Sequence, residues 1–328
     1  MKELTRDIIE KRYRKDVRRT QLYNKYISVM AKSLVPVFIV EMLLSMMLSG
    51  HSFLRGLMFI LLFFAADIFI VLVAPVLTET SRLMIQMFRI AGSPVRAFRI
   101  MHRTKELKQL YTMFNSDLGS DNLLSEIDAH FGENTPEDAA SVLLTMKLDV
   151  FISRNDHAGF RETDTALSRI KRSKCDELTS SLTSCVFNED AEGFIKRYEA
   201  GGKILEKLNT GPFSRMLARA SLQYDYYRFK GDYSKALENA QLWKEYYEKM
   251  HAAPTLDPKG RKPETNREIY HCAMNLLDMA YIHRITGSGS IADQLIAEAE
   301  ERISAVTCAL PEYFNVMKAR ASGGGDTI

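Results

Sequence analysis

Two apolar runs, Ile27 to Leu48 and Leu57 to Leu77, stand out from a chain whose other hydrophobic positions recur at helical spacing; only Ser49 to Gly56 separates them. Each run is about the twenty residues that a helix needs to cross roughly 30 Å of hydrocarbon. The pattern predicts a two-helix transmembrane hairpin over 27–77, with spans at 27–48 and 57–77. Before it, residues 1–26 form a basic surface helix, in which Lys2, Arg6, Lys11, Arg12, Arg14, Lys15, Arg18 and Arg19 outweigh Glu3, Asp7, Glu10 and Asp16. After it, residues 78–120 read as basic amphipathic juxtamembrane helices. Ser81 to Gly92 has the mixture of an interfacial helix, and Ser93-Pro94 caps and opens the next.

The break at Asn115 to Asp121 opens a stretch, 121–310, that is helical throughout and shows no period-two alternation. Helix pairs recur around four short turns: Arg154-Asn155-Asp156-His157, Phe187-Asn188-Glu189-Asp190, Lys230-Gly231-Asp232-Tyr233 and Thr286-Gly287-Ser288-Gly289. Four residues after Asp156, Asp190, Asp232 and Ser288 stand Phe160, Phe194, Ala236 and Ala292. That spacing predicts a column that packs the second helix of each pair. Thr135-Pro136-Glu137-Asp138 opens the first pair, and residues 311–328 are read as a C-terminal tail. The fold class is therefore all-α: a hairpin of two spans followed by an α-α helical-repeat domain.

In the third pair, Gly231 to Ala240 (GDYSKALENA) resembles the inter-helix turn and second-helix start of a tetratricopeptide repeat, with Tyr227 at the aromatic position of its first helix. In the fourth, Ala280, Gly287, Ala292 and Ala299 fall on that family's small positions. Tyr224 and Trp243 depart from it, standing where the family has small residues. The resemblance implies a tetratricopeptide-like cytosolic domain whose concave surface holds a peptide or partner helix. Of the ring-rich third pair, Tyr224, Tyr226, Tyr227 and Tyr247 are the partner-binding candidates, with Tyr226 and Tyr247 expected at the surface; packing between repeats is the alternative use of these rings.

Charge settles orientation. The net charge of +3 and mean hydropathy of -0.17 average a hydrophobic hairpin against a polar remainder. Lysine and arginine crowd both flanks, whereas the connecting loop has only Arg55, so a two-span integral membrane protein with both termini cytoplasmic is expected. The basic flanks point to anionic lipid as a partner. Glu41 and Asp67 form an intramembrane carboxyl pair, about 6 Å apart in depth at ~1.5 Å rise per residue. They serve either proton or cation movement or helix packing, including a homo-oligomer formed through the hairpin.

Cys175, Cys185, Cys272 and Cys308 lack ligand spacing and read as reduced thiols. No nucleophile elbow, phosphate loop, zinc helix or dinucleotide turn appears, so no catalytic residue, cofactor or metal is assigned and the chain is read as a non-enzyme. The basic residues are accounted for by the hairpin flanks, without nucleic acid. Two functions follow: a membrane-anchored scaffold or adaptor whose repeat domain binds a protein or peptide, or a small oligomeric membrane component working through Glu41 and Asp67.

Overall fold

A computed structural model describes residues 3–50, 52–64, 110–131, 135, 137–210, 213–252 and 264–323. All regular structure among them is helical. The chain divides into two compact units, one drawn from residues 1–10, 105–252 and 263–328, the other from 11–104 and 253–262.

The first unit contains the helix pairs. Ser120 caps α2 (Asp121–Ala129). Then come α3 (Glu137–Ser153) with α4 (His157–Ser168), α5 (Lys174–Phe187) with α6 (Ala191–Ala200), α7 (Phe213–Phe229) with α8 (Tyr233–Ala252), and α9 (Asn266–Ile285) with α10 (Gly289–Ile303). All four turns fall where the sequence places them, and they share one geometry. Asn155, Glu189, Gly231 and Gly287 each adopt positive φ, between 54° and 82°. The next amide reaches back five residues, Asp156 to Phe151, Asp190 to Cys185, Asp232 to Tyr227 and Ser288 to His283, at 2.7 to 2.9 Å. A left-handed residue closed by this bond satisfies carbonyls that the ending helix would leave bare, and Asp156, Asp190 and Asp232 then cap the next helix. The column predicted behind the caps, Phe160, Phe194, Ala236 and Ala292, is buried throughout.

Residues 312–321, inside the segment read as a tail, form α11 (Glu312–Ala321), which packs Phe314, Met317 and Ala321 into the same core as α9 and α10. Tyr313 meets Phe187 edge-on, and Arg267 on α9 is buried over the Phe114 ring while bonding Asp149 of α3 at 2.6 Å. The four cysteines are free thiols.

The hairpin expectation is corrected. Residues 6–49 form one continuous helix, α1 (Arg6–Ser49), and among the described residues no helix is long and apolar enough to cross a membrane. A two-span integral membrane localisation with both termini cytoplasmic falls with it. The physical reason is visible in α1: its first half is charged, and Lys32, Pro36 and Glu41 divide the apolar half into pieces shorter than the roughly twenty residues that a span requires. In the second unit, Ser45 near the end of α1 donates to the Gly56 carbonyl at 2.8 Å, beside helical residues 53–64. Glu41 lies on α1. Asp67, the remainder of the 57–77 run and the juxtamembrane residues 78–109 lie outside the described residues, as do residues 253–263 of the Pro-rich loop.

Candidate functional site

The third pair carries two features on opposite flanks of α7. On the flank toward α8, positions 216, 220, 223 and 227 of α7 face positions 239, 242 and 246 of α8, the i, i+3, i+4 spacing of helix stripes. Between the stripes lies the chain's own segment Glu3 to Glu10. Leu4 and Ile9 are buried, at 2% and 3% exposure, in a cluster with Met216, Ala220, Leu242 and Tyr246. Burying two such side chains contributes about 3–6 kcal/mol before ordering costs.

A polar chain reads the segment's backbone. Asn239 donates its Nδ2 to the Lys235 carbonyl at 2.8 Å, so its Oδ1 is left to accept, and it accepts from Gln223 Nε2 at 2.7 Å. That fixes Gln223, 1% exposed, with Oε1 toward the Leu4 amide, which donates at 2.7 Å; Gln223 Nε2 also donates to the Leu4 carbonyl at 3.3 Å. One buried carboxamide thus holds both main-chain groups of one residue, a contact independent of that residue's side chain. Charges flank it: Tyr227 donates its hydroxyl to Glu3, Arg6 pairs with Glu245 at 2.7 Å, and Lys249 pairs with Glu10.

On the flank toward α9 is a cleft of about 120 Å³, lined by Ser221 and Tyr224 of α7, Trp243 of α8, and His271, Asn275 and Asp278 of α9. The Tyr224 hydroxyl donates to Asp278 Oδ1 at 3.2 Å. Burial pushes the Asp278 carboxyl up to about 7, and neighbouring Asp225 adds to the shift. Asp225 is itself raised by burial, partly offset by Arg228, which it meets at 3.4 Å. Tyr224 is pushed well above its ordinary value, chiefly by burial.

The four tyrosines chosen from sequence separate. Tyr224 turns toward the cleft and Tyr227 toward the segment. Tyr226 stacks on Tyr198 at 4.3 Å and donates to Glu199 at 2.7 Å. Tyr247, expected at the surface, is buried at 3% exposure; it stacks on Trp243 and donates to Glu264 at 2.9 Å. Leu4, Ile9, Gln223, Asn239, Asn275 and Asp278 are not in the sequence-derived set. Leu4 with Ile8, an i, i+4 apolar pair in the charged leader, was the one signal available for the docked segment. Among the described residues no three His, Cys, Asp or Glu side chains gather as a metal site.

Compared with known proteins, the chain matches no family model, no curated protein sequence and no solved structure.

Proposed function

We propose that this chain is an adaptor whose helical-repeat domain, of tetratricopeptide type, holds a short peptide of a protein partner in the groove between α7 and α8. The observation that supports this reading is the bidentate contact of buried Gln223 with the backbone of Leu4. A groove that binds main chain through a carboxamide, adds two apolar sockets and flanks them with charge has the parts of a peptide receptor. The peptide class is one with apolar residues at the Leu4 and Ile9 spacing and acidic residues where Glu3 and Glu10 stand, facing Tyr227 and Lys249. The chain's own segment competes in cis for this groove.

The test uses the full chain carrying Leu4→Asp and Ile9→Asp, which expels the segment, and a fluorescein-labelled peptide of residues 3–12. Anisotropy is expected to report saturable binding, at least about tenfold tighter than to the unaltered chain. Adding Gln223→Leu is expected to weaken it about tenfold or more, because buried main-chain groups lose their partner at ~1–3 kcal/mol. No binding to the expelled variant, with helical circular dichroism intact, defeats the reading.

A further inference from the structure

The cleft on the other flank of α7 is lined by a carboxyl group and by one acceptor that has no donor. Asp278 receives the Tyr224 hydroxyl, and among the described residues no lysine or arginine stands within ion-pair distance of it. Of the two nearby guanidinium groups, Arg228 meets Asp225 at 3.4 Å and keeps an unpaired Nε, and Arg320 pairs with Glu189 at 2.6 Å. Asn275, three residues away on the same helix face, has a fully buried Oδ1 without a hydrogen-bond partner. A buried acceptor left unmade costs about 1–3 kcal/mol, so the unpartnered Asn275 Oδ1 at this cleft needs a reason. The walls beside them are the rings of Trp243 and Tyr224, surfaces that attract a cation. His271, exposed to solvent, also lines the cleft. Its volume, about 120 Å³, exceeds what a water needs and approaches the roughly 150 Å³ that accepts a benzene ring.

We propose that this cleft binds a primary alkylammonium group, with Asp278 as counter-ion, Asn275 Oδ1 as second acceptor, and Trp243 and Tyr224 as aromatic walls. An ammonium supplies three donors and a compact charge, which suits two acceptors lining one small cleft better than a planar guanidinium does. The inference is independent of the α7/α8 groove and stands or falls without it.

Binding is linked to protons. Asp278 must be ionised to act as counter-ion, and burial holds its carboxyl up at about 7. The groups that act on it are Tyr224, Asp225 and Arg228 from α7, and Tyr313 and Arg320 from α11, while His271 of α9 lines the same cleft. The cleft-lining residues of α8, Ala240 and Trp243, carry no charge. Affinity therefore rises with pH, by about eight- to tenfold between pH 6 and pH 8 for a group titrating near 7.

Trp243 is the chain's one tryptophan, so its emission reports on this cleft directly. The full chain is titrated at constant ionic strength with n-butylammonium, with Nα-acetyl-lysine N-methylamide, and with n-butanol as the neutral isostere. Expected is a saturable change with the amines, about tenfold weaker at pH 6 than at pH 8, no saturable change with butanol, and at least about tenfold weaker binding in Asp278→Asn. If the lysine derivative binds as tightly as butylammonium or more tightly, a protein-borne lysine is the natural source of the group; if butylammonium alone binds, a free amine is. Absence of a saturable amine response overturns the proposal. So does a butanol response equal to the amine's, or the same affinity at both pH values, and neither of these requires a variant to fold.

Discussion

The early and late helix pairs use the same turn for different ends. The column behind the cap is Phe160 and Phe194 in the first two pairs, and Ala236 and Ala292 in the last two. The early helices after α3 are short, at 12, 14 and 10 residues for α4, α5 and α6, whereas α7 to α10 run 17, 20, 20 and 15. Large rings fill the space between short helices that meet over few turns. Alanines let long helices lie close along their length, and the rings of the third pair are then displaced to its flanks. The early pairs are thus mainly core. The late pairs carry the groove, the cleft and the buried acids.

Breaking the early column should cost most. Phe194→Ala empties a fully buried site against Tyr198 and Phe229, and a loss of ~3–5 kcal/mol is expected in urea unfolding. The buried acid of the late pairs comes next. Its folded pKa, about 7, lies above the ordinary 3.8, so the folded state holds the extra proton. The contribution of Asp278 is therefore full below about pH 4 and is lost as pH rises through about 7. Asp278→Asn should remove that loss and gain roughly 2–4 kcal/mol at pH 8, with no gain at pH 4, because each pH unit between the unfolded and folded values is worth ~1.4 kcal/mol. Unfolding curves at the two pH values check the sign; an equal effect at both would show that the late pairs hold no titrating core group.

Enlarging the column side chain of a late pair should cost less than emptying the early site. Ala236→Leu is expected to destabilise by ~1–3 kcal/mol through overpacking, read as a lower midpoint with unchanged slope. The smallest effects belong to the shared turn. A Cβ at Gly231 meets no atom within 4 Å, so Gly231→Ala should cost only the left-handed backbone, ~1–2 kcal/mol. Asn155→Gly, at the matching early position, should be nearly neutral or stabilising by under ~1 kcal/mol, since asparagine already tolerates that conformation. Thermal midpoints for the pair of variants sharpen the statement that one turn serves all four pairs.

What could be read from the sequence was what is local. The four turns and their caps are set by neighbours, and the column behind them follows from helical spacing, so both were legible. The same holds for the break at Asn115 to Asp121. The docking of Leu4 on Gln223 was not, because it joins residues 219 positions apart and the segment's charge pointed toward lipid. The cleft pairs Tyr224 with Asp278, 54 positions away, and neither residue carries a motif. The burial of Tyr247 was not legible because it depends on Glu264 and on Cys272 of α9, which lie outside its own helix. The hairpin fails for a different reason: the length of the first apolar run suits a span, while the charges within and before it go with its being the later half of a single long helix.

The 219-residue separation between Leu4 and Gln223 also sets a clock. At about 5–20 residues per second, the segment is synthesised some 10–40 s before the helices that will receive it. During that interval its two apolar side chains have no groove to enter, and the contact closes after the intervening pairs have had time to form. A segment made before its groove is therefore placed late, and crowded ribosomes on one message would bring finished grooves beside unplaced segments of younger chains.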